Sequence, residues 1–330
     1  MLIQLRPGAD PKTARNALHA LGLWVTPLVD GDGRVTAYTV EPLSPPVDPA
    51  LIAAIPGVER LLRAPSPHPR LDAQAGRPIR IGRAVFGGPA PVLIAGPCSV
   101  DARDTLMAAA AAAAAAGATA LRGGAYKPRT SPYSFHGHGP EGLTWLREAA
   151  DAHDLIVVTE VLSEHDVTRV AEAADLVQIG SRNMQNFALL RAVGRAGRPV
   201  LLKRGMSATI EEWMLAAEHL LTAGAEAVVF CERGVRGFDP ATRNLLDLAA
   251  VALLAHAHRQ PVIADPSHAT GRRDLVAPLA LAARAAGACG VMVETHPDPT
   301  RALSDAPQAI DRDTLRHIGR GLGLVTEEKP

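Results

Sequence analysis

Residues 119–134 read TALRGGAYKPRTSPYS. A short apolar run ends at Leu121, two glycines follow Arg122, and Lys127 and Arg129 complete three cations within eight positions. Pro128 and Pro132 stiffen the loop, while Thr130, Ser131 and Tyr133 supply hydroxyls. Glycine lets a backbone approach a ligand closely. Cations on a rigid strand-end loop suit a phosphate or a carboxylate, arginine by its fork and lysine as a point charge. A solvated basic loop is the competing reading, but flexible surface loops rarely carry so much Pro and Gly.

The same arrangement recurs outward from this stretch. Eight short apolar runs span residues 92–95, 119–121, 155–159, 176–179, 200–202, 227–230, 262–264 and 290–293. A helical segment follows each. The alanines from Ala108 to Ala116 form the first, closed by Gly117, and Thr209 with Glu212 makes a capping box before the fifth, which Gly224 ends. Eight strand–helix units over about 240 residues predict a (β/α)8 TIM barrel over residues 78–330, with Pro78 to Phe86 as a preliminary hairpin. A doubly wound open sheet is the alternative.

A barrel collects its chemistry just after its strands. Here the strand ends carry Cys98; Arg122, Lys127 and Arg129; Glu160; Arg182; Lys203 and Arg204; Glu232 and Arg233; Asp265 and His268; and Glu294 and His296. Any one could be a surface polar group. Their recurrence after every strand is the signal.

The remaining sequence bounds these readings. Hydrophobic residues make up 47% of the 330-residue chain, charged residues 21% and aromatic residues 3%, which describes a globular protein with an aliphatic core. Zero formal net charge suggests neither a nucleic-acid nor an anionic membrane partner. Three dispersed cysteines make no disulfide framework, and MLIQLRPGAD is not a secretory signal, so a cytoplasmic location is expected. Residues 1–67 read as a separate small α+β domain of order βαββαβ, a ferredoxin-like arrangement that many small regulatory domains share, although the fold alone does not decide between regulation and assembly. Its helices open at Asp10-Pro11 and Asp48-Pro49, and Asp30-Gly31-Asp32-Gly33 makes a hairpin turn. Residues 68–77 read as a linker.

The strand-end residues sort into two sets. Cys98, His268, Glu294 and, eleven positions further, Asp305 offer a thiolate, an imidazole and two carboxylates. Such a set suits zinc, manganese, iron or cobalt rather than calcium, although ligands this dispersed are weak evidence by spacing alone, and Cys98 could equally be an inert buried cysteine. Cys231 and Cys289 read as core cysteines. The second set is Arg122, Lys127, Arg129, Arg182, Lys203 and Arg233. Six cations at one mouth would repel each other unless more than one phosphate or carboxylate occupied it.

LIAGPCS, LRGGAYKPRTSPYSF, QIGSRNMQNF, LLKRGM, CERG, DPSHATGRRDL and VETHPDP with ALSD together resemble 3-deoxy-D-arabino-heptulosonate 7-phosphate (DAHP) synthase. The branch is type I beta, which shares its core with 3-deoxy-D-manno-octulosonate 8-phosphate synthase. The likeness spans roughly Leu93 to Gln308, and KPRT at Lys127 to Thr130 favours the heptulosonate enzyme. Tyr126 and His136 stand where relatives often carry Phe and Gln.

The resemblance implies condensation of phosphoenolpyruvate with erythrose 4-phosphate, the first step of the shikimate pathway. It implies that Cys98, His268, Glu294 and Asp305 hold a divalent metal. Arg182, Lys203 and Arg233 would hold the phosphate of phosphoenolpyruvate, and Arg122 and Lys127 its carboxylate end. Lys127, Pro128, Arg129 and Thr130 would position the aldose phosphate. Lys127 is a candidate general acid, and Glu160 or Asp265 a candidate for orienting water. The front domain would bind Tyr or Phe as a feedback inhibitor, and a homo-oligomer, a tetramer in the family, is expected. The alternatives are the octulosonate synthase, a Schiff-base aldolase using Lys203, and a non-catalytic aromatic amino-acid sensor.

Overall fold

The computed structural model describes residues 1–127, 131 and 133–326. It divides into two compact units, Met1–Pro67 and the chain from His68 onward.

The first unit follows the order β1 (Leu2–Leu5), α1 (Pro11–Ala20), β2 (Val25–Val29), β3 (Val35–Val40), α2 (Pro49–Ala53) and β4 (Val58–Leu62). Its strands form one antiparallel sheet in the order β2-β3-β1-β4. Asp10 caps α1 by accepting from the Lys12 and Thr13 amides, and proline occupies the first turn of both helices, where no amide proton is missed. Ile3, Leu18, Tyr38 and Ile52 fill the core between helices and sheet.

The second unit begins with α3 (Pro69–Gln74), which corrects the expected linker. Leu71 is fully buried, the Arg70 and Leu71 amides donate to the Glu218 carboxylate, and the Gln74 amide group bridges the Val228 backbone and Gln260. The Pro and His content that suggested a linker begins a short helix bound to the barrel. The hairpin β5 (Ile79–Ile81) and β6 (Ala84–Phe86) follows.

Eight parallel strands then close a barrel: β7 (Val92–Gly96), β8 (Ala120–Arg122), β9 (Ile156–Val161), β10 (Leu176–Ile179), β11 (Val200–Lys203), β12 (Val228–Glu232), β13 (Val262–Ala264) and β14 (Gly290–Glu294). The helices between and after them are α4 (Arg103–Ala115), α5 (Pro140–Asp151), α6 (Val167–Ala173), α7 (Phe187–Arg195), α8 (Ile210–Ala223), α9 (Leu248–Ala252), α10 (Pro266–Thr270), α11 (Val276–Ala285) and α12 (Arg312–Gly321). The alanine tract forms most of α4 and packs Ala109, Ala110 and Ala113 inward, where small side chains permit close approach. The expected capping box at Thr209 and Glu212 is present, and Gly224 closes α8 in a left-handed conformation.

Successive side chains on a strand face opposite ways. One core cluster takes Ile94, Ala120, Val158, Leu176, Leu201, Val229, Ile263 and Met292 together with the hairpin side chains Ile79, Ile81 and Phe86. These point into the barrel, and the hairpin packs against them. A second cluster takes the alternate residues, such as Leu93, Leu121, Val157, Val177, Leu202, Phe230, Val262 and Val293, against the helices. Among the described residues, no helix is long and apolar enough to cross a membrane.

Candidate functional site

The alternation that builds the core also aims the chemistry. Counting two residues on from each inward side chain gives Arg122, Glu160, Gln178, Lys203, Asp265 and Glu294, and Arg233 by way of Cys231. All seven therefore point into the barrel at the C-terminal ends of its strands. The residues one position off, Arg204 and Glu232, point outward. Arg204 donates to Glu232 Oε2 at 3.0 Å and to Asp247 Oδ2 at 2.8 Å, with its guanidinium 5.8 Å from the Trp213 ring centre. The expectation that these two share the mouth is corrected by their strand parity. His296 also leaves it, lying 3.8 Å from Asp101 and accepting from the Asp298 amide.

Cys98, His268, Glu294 and Asp305 bring one donor atom each to within 4.8 Å of one another. The Cys98 thiol donates to Asp305 Oδ2 at 3.0 Å, and His268 Nε2 lies 3.0 Å from Glu294 Oε1. On its other side His268 Nδ1 meets Asp265 Oδ2 at 2.7 Å. That contact fixes the ring and leaves Nε2 facing the cluster, the usual support for a ligating histidine. Gln308 Nε2 donates to Glu294 Oε2, and the Glu294 amide donates to Ser267 Oγ. The donor set fits a borderline transition metal.

Charges crowd this centre. Arg122 donates to Glu294 at 2.5 Å, and both side chains are buried. Burial works against the charged His268 ring, but Asp265 and Glu294 outweigh it and raise its pKa to about 10. Burial also opposes the charge on Glu294, yet His268 and Arg122 hold its carboxyl well below the usual range. Lys127 Nζ donates to Cys98 O at 2.9 Å and to Cys98 Sγ at 3.0 Å. Burial again counts against the ammonium, but Cys98, Glu160 and Glu294 keep its pKa above the ordinary lysine value.

Above the cluster opens a cavity of about 910 Å³, lined by Arg122, Lys127, Glu160, Gln178, Arg182, Lys203, Arg233, His268 and Asp305 among others. Five of the six expected cations face it; Arg129, with Pro128 and Thr130, lies outside the described residues. Their mutual repulsion is smaller than a count of charges implies, because Glu294 pairs with Arg122 and Asp265 with Lys203. Among the described residues, Arg182 and Arg233 have no carboxylate within ion-pair distance.

Asp265 is fully buried and is not part of the cavity wall. Its Oδ1 accepts from the His268 amide, and its Oδ2 meets Lys203 and His268. Both oxygens are engaged within the protein, so of the two candidates for orienting water Glu160 is the one that faces the cavity. Glu160 does line the cavity, and its Oε2 accepts from Gln178 at 3.1 Å. The carboxylate lies against Gly180, where any Cβ would overlap Oε1. The cavity also takes Ser131, whose hydroxyl the sequence reading noted, and Arg236, Arg243, Asn244, Ser134 and Ser181, which it did not single out. Arg236 and Arg243 belong to the long connection after β12, four and eleven residues past its last residue, Glu232.

Fold and site together define a (β/α)8-barrel enzyme whose strand ends join a candidate metal centre to a cationic cavity. A profile described as the DAHP synthetase I family matches residues 72–327, and the chain belongs to that family. Phospho-2-dehydro-3-deoxyheptonate aldolase of Thermotoga maritima is 51% identical over 240 residues, 73% of this chain and 70% of that one. A crystal structure of the Thermotoga maritima protein, titled DAHP synthase, aligns with TM-score 0.74 at 41% identity over 97% of this chain and 95% of that one. A more distant relative, 2-dehydro-3-deoxyphosphooctonate aldolase of Methylobacterium radiotolerans, is 32% identical over 256 residues, 72% of this chain and 89% of that one.

Proposed function

We propose that the chain condenses phosphoenolpyruvate with D-erythrose 4-phosphate and water to give DAHP and phosphate, the first step of the shikimate pathway. The observation that carries this reading is the cavity that His268 and Asp305 of the four-donor cluster share with Arg122, Lys127, Arg182, Lys203 and Arg233. Cys98, His268, Glu294 and Asp305 would hold a divalent ion of manganese, zinc, iron or cobalt. When bound, that ion supplies Lewis acidity toward the aldehyde oxygen.

The chain's own groups account for the remaining steps. Arg182 and Arg233, without carboxylate partners among the described residues, receive the phosphate of phosphoenolpyruvate, with Lys203 lining the same cavity. Arg122 and Lys127 face its carboxylate end. C3 of the enol bonds to the aldehyde carbon, and the aldehyde oxygen takes a proton from Lys127, the ammonium nearest the cluster. Positive charge left at C2 is met by water, whose proton passes to Glu160, a carboxylate in the cavity wall. The C2–O bond then breaks, the C2 hydroxyl gives its proton to the departing phosphate and becomes the ketone, and the arginines stabilise the charge that leaves. Arg129 and Thr130 are assigned to the aldose phosphate by their motif.

We assign the first unit a ferredoxin-like fold from its βαββαβ order and its β2-β3-β1-β4 sheet, with regulation by tyrosine or phenylalanine as its proposed role. A homotetramer and a cytoplasmic location complete the proposal. A Schiff-base route is disfavoured because Lys203 would first have to leave Asp265.

The test is phosphate release from phosphoenolpyruvate with erythrose 4-phosphate or arabinose 5-phosphate, with and without tyrosine or phenylalanine. Release with the four-carbon sugar is expected. Release only with the five-carbon sugar would move the chain to octulosonate synthesis, and no release with either would return the non-catalytic sensor.

A further inference from the structure

Asp305 differs from the other three donors. Glu294 ends β14, Cys98 lies two residues past β7, and His268 is on α10, whereas Asp305 belongs to no helix or strand. Its backbone is left-handed, with φ of 53°, a conformation few residues other than glycine adopt. Something outside its own segment has to hold it.

Two sets of contacts do so. On one side the Leu303 amide donates to Asp101 Oδ2 at 2.9 Å, and the Ser304 and Ser99 hydroxyls meet at 2.6 Å. On the other, Arg243 Nη1 and Nη2 both reach Asp305 Oδ1 at 3.2 Å, leaving Oδ2 toward Cys98. Arg243 is itself anchored. Its amide donates to Thr270 O at 2.9 Å, and the Asn244 amide donates to Ala269 O at 2.8 Å. Thr270 and Ala269 lie on α10, the helix that carries His268. One arginine thus ties the segment of Asp305 to the helix of His268.

We propose that Arg243 is a positioning residue of the metal centre. Its fork occupies Oδ1 and would leave Oδ2, which faces Cys98, free to hold the ion. This rests on the reading of the four donors as metal ligands. The Arg243 side chain is 43% exposed, and an ion pair so exposed adds little to folding stability. Its effect therefore falls on metal affinity. Lysine, a single point charge, cannot reproduce the fork.

The test titrates full-length, metal-free protein with cobalt(II) against a competing chelator, read by thiolate-to-cobalt absorbance, for the natural chain, Arg243→Gln and Arg243→Lys. Loss of an outer partner of a ligand lowers metal affinity by about 10- to 100-fold. That loss is expected in Arg243→Gln, with Arg243→Lys intermediate. The unfolding midpoint of the metal-free variants is expected to stay as in the natural chain. Unchanged cobalt affinity with a raised KM for erythrose 4-phosphate would overturn the proposal and place Arg243 on the substrate. A lowered metal-free midpoint with unchanged affinity would make it merely structural. A natural chain that binds no cobalt would defeat the metal reading itself.

Discussion

Gly180 shows how a single residue shapes the site. A Cβ there overlaps Glu160 Oε1, the mobile end of a side chain rather than backbone. Gly180→Ala is therefore expected to displace the Glu160 carboxylate while unfolding free energy falls by less than about 1 kcal/mol. General-base contributions run to about 100-fold or more, so kcat for phosphate release is expected to fall by at least about tenfold. Unchanged turnover would remove Glu160 from the mechanism. The cysteines give a second contrast. Burial pushes the Cys289 thiol up to about 11 and the Cys231 thiol higher still, which keeps both protonated and inert at pH 8. Cys231→Ser and Cys289→Ser are expected to leave cobalt affinity unchanged, whereas Cys98→Ser is expected to lower it by more than about 100-fold, the upper end of what an outer partner contributes. Equal losses in all three variants would contradict the assignment of Cys98.

Among the elements, α3 makes a stability prediction. Gln74 satisfies both the amide and the carbonyl of Val228 and also reaches Gln260. Gln74→Leu leaves these groups without partners and is expected to cost about 1–3 kcal/mol in denaturant unfolding, with no change in KM. A neutral result would mean that α3 rests on the barrel without holding it. This helix was illegible in the sequence because it is short, lies among prolines and carries one buried apolar residue, Leu71. The strands were legible because their apolar runs recur and end in charge. Their period of two would also have separated inward Lys203 and Arg233 from outward Arg204 and Glu232. The connections after β12 and β14 hid Arg243 and Gln308, since neither follows a strand directly and neither belongs to a periodic pattern. What places them is contact across the mouth, which no local signal records.

At the scale of the whole molecule, every donor and cation of the site comes from the unit that begins at His68, and that unit has both of its core clusters to itself. Residues 68–330 alone are expected to bind metal and release phosphate as the full chain does, and to lose any response to tyrosine or phenylalanine. Loss of catalysis in that fragment, with folding intact by far-ultraviolet circular dichroism, would assign the first unit a part in the site. The central claim is that the four-donor cluster and the cationic cavity act as one metal-dependent condensing centre. Its most direct measurement is the rate of phosphate release from phosphoenolpyruvate and erythrose 4-phosphate by metal-free protein, before and after addition of manganese. No release before addition and full release after it is the expected result. Equal release in the two states would contradict the claim.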